Sequence, residues 1–167
     1  FAQSKGSLNL VLHLAGALDD GLLDAMTPER LRSVLGPKWK GASHLSHALQ
    51  DVDHEALGLF SSMAGMLGNA GQGNYAAANA SLEAVAQNHR RSGNRAQVIH
   101  WGPWTGGGMA NETIEKRNRA RGLMGLRPAQ ALDGLGRILD SNMPAIGVWQ
   151  AKWPEFAAAL PRRMFEP

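Results

Sequence analysis

The chain has 167 residues, no cysteine and a formal net charge of +3. Its length suits a single domain, and the lack of cysteine excludes disulfides, thiolate chemistry and zinc–sulfur sites and suits a cytoplasmic protein. Hydrophobic residues make up 44%, enough for a core, yet no apolar run approaches the roughly 20 residues that span a bilayer and no signal peptide is visible.

Residues 8–14 (LNLVLHL) form a short apolar run rich in strand formers, like a buried strand of a parallel sheet. Ala15-Gly16 makes a turn after it. A helix is expected from Thr27, with Thr27 as N-cap, Pro28 at the first helical position and Glu29 favourable to the dipole. Its apolar face runs through Leu31, Val34, Leu35 and Trp39 to Leu45 and Leu49. Residues 56–61 (ALGLFS) read as a second strand, and 62–74 as a loop dense in Gly, Ala and Ser. Helical spacing returns from Tyr75 to Arg91, with Leu82, Val85 and Ala86 as apolar contacts and Gly93 as the stop. A third strand over 96–101 leads into a Gly-Pro-Trp turn at 102–104. Residues 112–122 are charged and expected to be mobile. A helix from near Pro128 to near Leu139, a strand over 145–149 and a closing strand and helix over 149–160 complete the chain.

This alternation argues for an α/β fold, a parallel sheet with helical crossovers. Ligands of such sheets bind beyond the carboxyl ends of the strands. The polar, Gly-rich segments Ala15-Gly16, 61–74 and 102–109 all follow strands, so they are expected to converge there.

The basic clusters at His89, Arg90, Arg91 and Arg95 and at Lys116, Arg117, Arg119 and Arg121 lack interleaved aromatics. They read as solvated helix ends rather than a nucleic-acid surface. His44 and His47 are three apart with no carboxylate suitably placed, so no metal site is expected; His89 and His100 read as structural.

Tyr75 is the only tyrosine, and it opens a helix of small residues, Tyr75-Ala76-Ala77-Ala78-Asn79. Tyr75 and Asn79 are one turn apart and share a face. Ser62 lies thirteen residues upstream, just past a strand, and Lys38 sits on the preceding crossover helix. A phenol with an ordinary pKa of about 10 needs a nearby cation to donate a proton near neutral pH. Lys38 can supply that charge, Ser62 can donate to a carbonyl oxygen as charge develops, and Asn79 can donate and accept in a relay. Taken singly each residue has a plainer reading, as helix start, turn, solvated side chain or polar helix face. Their joint placement favours a site.

The spacing of Ser62 and Tyr75 is similar to that of short-chain dehydrogenases/reductases. Most of that superfamily places lysine four residues after the tyrosine and asparagine on the earlier helix; here Asn79 and Lys38 are exchanged. The exchange, with HLAGALDDG at 13–21, PKWKG at 37–41, LFSSMAG at 59–65, GQGNYAAANASLEA at 71–84 and WGPW at 101–104, resembles the ketoreductase domains of modular polyketide synthases. The resemblance implies a partial Rossmann-like fold, with residues 1–167 as the C-terminal part of the catalytic domain and 112–126 as a lid-like segment. It implies NADPH-dependent reduction of a β-ketoacyl thioester on the phosphopantetheine arm of an acyl carrier protein. Tyr75 would be the acid, Ser62 would orient the keto oxygen, and Lys38 and Asn79 would support Tyr75. His13, Ala15, Gly16, Lys38, Tyr75, Pro103 and Trp104 would meet the cofactor. Leu18-Asp19-Asp20 resembles the B-type signature associated with a D-hydroxyl, and Leu67 stands where A-type domains carry tryptophan; Met109 joins these on the substrate side. Ala70 departs from the proline common in B-type domains.

No Gly-rich pyrophosphate turn of the G-x-G-x-x-G kind occurs in the sequence. The expectation is therefore that the N-terminal nucleotide-binding half lies elsewhere, that this segment alone is inactive, and that it works beside neighbouring synthase domains. A ketoreductase-like module kept for architecture and a free-standing reductase of small carbonyls are the competing readings.

Overall fold

The computed structural model describes residues 8–106 and 112–160. The strands are β1 (Leu8–His13), β2 (His54–Ser62), β3 (Ala96–Trp101), β4 (Leu123–Met124), β5 (Ala145–Val148) and β6 (Gln150–Ala151). The helices are α1 (Pro28–Leu35), α2 (Gly41–Ala48), α3 (Ala64–Leu67), α4 (Gly73–Arg91), α5 (Glu112–Ala120), α6 (Pro128–Asp140) and α7 (Trp153–Ala159). The chain divides into two compact units, residues 1–101 with 137–147, and residues 102–136 with 148–167.

The first unit holds a four-stranded sheet in the order β1-β2-β3-β5. β1 runs parallel to β2 with Leu10 opposite Ala56, and β2 parallel to β3 with Leu59 opposite Val98. Each crossover is helical, as short apolar strands separated by helical stretches require. Leu57 and Leu59 of β2 and Ala96 and Val98 of β3 meet Leu82, Val85 and Ala86 of α4 and Ala42 of α2 in one buried cluster. Burying a leucine fully contributes about 1.5–3 kcal/mol, so Leu57, Leu59 and Leu82, none of them exposed, anchor α4 on this face. On the other face Gln97 Nε2 donates to the carbonyls of Ile138 and Ser141 at 2.8 Å, and a Cβ on Gly58 would meet Leu139 and Leu12 side chains.

The helix expected to run unbroken from Thr27 to Leu49 contains a π turn, Gly36–Lys40, between α1 and α2. Pro37 lacks an N–H and its ring collides with the carbonyl one turn back. The helix answers by widening, and the Gly41 N–H reaches back five residues to the Gly36 carbonyl. The supposed loop 62–74 also contains α3, whose N–H groups at Leu67 and Gly68 bond the carbonyls of Met63 and Ala64. Thr27 caps α1, accepting from Arg30 N at 3.4 Å, and Gly93 follows α4 at φ 86°, a conformation glycine adopts freely.

The second unit pairs β4 with β6 in antiparallel fashion. The Trp104 backbone bridges to Leu126, and Thr105 N donates to the Leu126 carbonyl at 2.9 Å. Part of the expected mobile segment is the helix α5. Its lack of apolar periodicity hid it from a pattern search, while the straight-chain residues Glu115, Lys116 and Arg117 carry good helix propensity.

Candidate active site at the carboxyl ends of the strands

Lys38 occupies the middle of the π turn and is only 4% exposed. Its Nζ donates to the Phe60 carbonyl at 2.6 Å, next to the end of β2. Burial lowers this ammonium from its ordinary 10.5 to about 8. His13, the last residue of β1, lies against the same turn, with Nε2 3.1 Å from the Pro37 carbonyl. A carbonyl accepts only, so Nε2 carries the hydrogen, and Nδ1 is buried without a partner. Gly41 makes room for the ring, since a Cβ there would stand 3.1 Å from Nε2. Burial first and the Lys38 charge second hold His13 below its usual 6.5.

Ser62 ends β2, and its Oγ accepts from Ala64 N at 3.2 Å. Tyr75, half-buried, is the third residue of α4, in its first turn. Asn79 is fully buried on the next turn, and its Nδ2 donates to the Tyr75 carbonyl at 2.8 Å. That bond fixes the amide orientation and leaves Oδ1 buried with no partner. Lys38 and Asn79 are therefore not hydrogen-bonded to each other. An unpaired buried acceptor is expensive, and Lys38, with three N–H groups, donates to the Phe60 carbonyl.

The Asp19-Asp20 segment is tied down from two sides. Arg30 of α1 donates to Asp19 Oδ1 through Nε at 2.9 Å and a terminal nitrogen at 2.7 Å, and reaches the carbonyls of Asp19, Asp20 and Ala25. The Arg30 hydrogen bonds hold the Asp19 carboxyl below its ordinary range. Gln72 Nε2 meets Asp20 Oδ2 at 2.8 Å, and Asn74 Nδ2 meets the Asp19 carbonyl at 2.7 Å. Asn74 Oδ1 accepts from Tyr75 N at 2.8 Å. The acidic loop is thus laced to the turn that launches Tyr75. Sequence reading missed Arg30, Gln72 and Asn74 because each looks like an ordinary helix or turn residue. The asparagine directly before the tyrosine was the one available signal.

Leu18 is exposed and Leu67 half-buried, as are Asp19 and Tyr75, while Ala15, Gly16 and Asp20 are exposed. Met109 lies outside the described residues. Pro103 and Trp104 belong to the second unit, where they line a shallow cavity of about 20 Å³ with Thr105, Glu115, Asn118, Arg119, Leu123 and Gly125. That volume admits about one water molecule. Among the described residues no group of three His, Asp or Glu is placed to hold a metal ion, and no helix is long and apolar enough to cross a membrane.

Residues 1–106 match the KR domain family. The chain belongs to that family. This ketoreductase chain is 43% identical over 155 residues to polyketide synthase GfsB of Streptomyces halstedii, covering 92% of itself and 3% of that protein. Its fold is similar to the ketoreductase from the first module of phoslactomycin biosynthesis in Streptomyces sp. HK803, with TM-score 0.85, 36% identity and coverage of 92% and 37% of the two chains. It is equally similar to an A1-type ketoreductase, with TM-score 0.87, 35% identity and coverage of 93% and 33%. The ketoreductase chain thus spans about a third of the solved structures it matches and a few per cent of the synthase. The fold is the short-chain-reductase form of the Rossmann-like sheet, in part.

Proposed function

We propose that this chain carries the catalytic half of a ketoreductase that reduces a β-ketoacyl thioester, borne on an acyl carrier protein, to the β-hydroxyacyl thioester. The single observation that supports it most is that Lys38, buried with the Phe60 carbonyl as its acceptor, and Asn79, buried with Oδ1 unpartnered, both belong to the unit whose strand β2 ends in Ser62. A scaffold has no use for two such costly groups. A site that must receive hydroxyl groups has, since a hydroxyl both donates and accepts.

In this reading Ser62 Oγ donates to the keto oxygen, and the Tyr75 hydroxyl transfers its proton to that oxygen as the carbonyl becomes an alkoxide. The Lys38 ammonium stabilises the phenolate left behind. Asn79 supplies an acceptor on the same side. Bound NADPH supplies the hydride that goes to the carbonyl carbon. His13, Ala15 and Gly16 would hold its adenosine side, Lys38 and Tyr75 its nicotinamide ribose, and Pro103 and Trp104 its nicotinamide. The donor and acceptor left open at Lys38 and Asn79 fit such a group, while the pyrophosphate cradle would come from an N-terminal half outside these residues. Leu18, Asp19, Asp20 and Leu67, with Met109, would set the face of attack, giving a D-hydroxyl. The loop's anchoring by Arg30, Gln72 and Asn74 supports a rigid role. Residues 112–126 would close over the substrate arm.

The test follows NADPH oxidation by the full-length synthase polypeptide with a β-ketoacyl thioester. Tyr75→Phe is expected to lower kcat by about 10²–10⁴-fold with cofactor binding retained. A Tyr75→Phe protein that turns over like wild type would remove Tyr75 from the chemistry. A wild-type protein that neither binds NADPH nor reduces the thioester would favour the architectural reading.

A further inference from the structure

His100 is a buried histidine that the reading above leaves unused. It is 1% exposed on β3, beside Ser61 of β2 in the parallel register. Its Nδ1 lies 3.0 Å from Ser61 Oγ and 3.3 Å from the Ser62 carbonyl oxygen. The carbonyl can only accept, so Nδ1 carries the ring hydrogen. Ser61 Oγ directs its own hydrogen to the Asn79 carbonyl at 3.1 Å, so it too accepts from Nδ1. Both partners impose the same tautomer.

Nε2 faces the carboxylate of Glu83 on α4, 3.1 Å from Oε1, at ion-pair distance rather than along the ring N–H axis. The contacts then form a closed circuit. It leaves α4 at Glu83, crosses β3 at His100 and β2 at Ser61, and returns to α4 at Asn79, one helical turn from its start. α3 approaches this same turn closely, for a Cβ on Gly65 would stand 3.0 Å from Ala80 N and 3.1 Å from the Asn79 carbonyl carbon.

We propose that His100, held by Glu83, is a positioning residue of the ketoreductase site: through Ser61 and the Ser62 carbonyl it sets Ser62 against the Tyr75–Asn79 turn. It touches no substrate. The proposal rests on the ketoreductase reading, because its effect is on the geometry of Ser62 relative to Tyr75. Misplacing a reacting group by about 1 Å costs about 10²-fold in rate.

The experiment compares His100→Leu, His100→Asn and Glu83→Gln in the full-length synthase polypeptide, reading kcat, thioester KM and NADPH Kd. Leucine fills the volume without a donor, while asparagine returns an N–H near the place of Nδ1–H. His100→Leu is expected to lower kcat by about 10–100-fold with KM and Kd unchanged, and His100→Asn to recover most of the loss. Glu83→Gln, half-exposed and mild for folding, is expected to show a smaller fall in kcat alone. Wild-type kcat in His100→Leu would overturn the proposal while leaving the ketoreductase reading intact. So would a loss shared equally by His100→Asn, or by KM and Kd. Wild-type kcat in Glu83→Gln would overturn the part assigned to Glu83. A wild-type polypeptide without thioester reduction would sink the ketoreductase reading and the positioning role with it.

Discussion

The two ends of the first unit's sheet both bury polar side chains, and one cluster at each end can be compared. At the amino end of β2, His54, His89 and Ser46 form a closed set. His54 Nδ1 donates to the Val52 carbonyl at 2.8 Å, so its Nε2 accepts from His89 Nε2–H at 2.8 Å. His89 Nδ1 then accepts from the Ser46 hydroxyl at 2.8 Å. At the carboxyl end, Lys38 has the Phe60 carbonyl, and His13 Nδ1 and Asn79 Oδ1 have no partner. Burial of polar groups therefore does not by itself mark a site, and neither does an unpartnered atom alone, since Arg95 Nε and Gln97 Oε1 at the start of β3 also lack partners; at the carboxyl end such atoms coincide with Ser62 and Tyr75. A satisfied set stabilises the fold it belongs to, whereas each unsatisfied group carries a desolvation cost.

The comparison can be broken most sharply at Lys38. Its pKa is about 8 folded and 10.5 in the free side chain, so between those values the unfolded chain holds more protons. Stability of the domain should rise with pH across that window and lose this contribution below about 8. That difference corresponds to about 3 kcal/mol. Urea unfolding from pH 7 to 10.5 should show the rise in wild type and not in Lys38→Met, whose reductase activity should be lost. An identical pH slope in the two proteins would show that Lys38 is not buried as a strained cation.

His89→Ala probes the satisfied end. It strands Ser46 and His54 together and should cost about 1–3 kcal/mol, with thioester kcat unchanged. Burial and the neighbouring His54 lower the His89 pKa below 6.5. Unfolded chains then bind the extra proton, so wild-type stability should fall as pH drops below that value. Thermal melts at pH 5 and 7 check this, with the difference reduced in His89→Ala. The smallest expected stability effect is at Asn79. Asn79→Ala removes an unsatisfied acceptor together with one local bond and improves helix propensity, so stability should change by less than about 1 kcal/mol while activity falls. A loss as large as that of His89→Ala would erase the distinction between the two ends.

By itself the sequence determined the alternation of strands and helices, because hydrophobic period and capping residues act within a few neighbours. Its reading of 96–101 as a strand matches β3, and its helix from near Pro128 is α6. It also presented Lys38, Ser62, Tyr75 and Asn79 as a set through their spacing. What it left hidden depends on groups far apart in the chain. Pro37 carried no visible sign that the helix would widen into a π turn and turn Lys38 inward, since that outcome requires β1 and β2 to supply His13 and the Phe60 carbonyl. Arg30 gave no sign in the sequence of its contacts with Asp19, Asp20 and Ala25, which only the folded loop brings to it. His100 read as structural, and only the adjacency of β2, β3 and α4 gave its two nitrogens their separate partners. Local pattern specifies elements; tertiary packing decides which buried polar atoms find partners, because those partners come from distant parts of the chain.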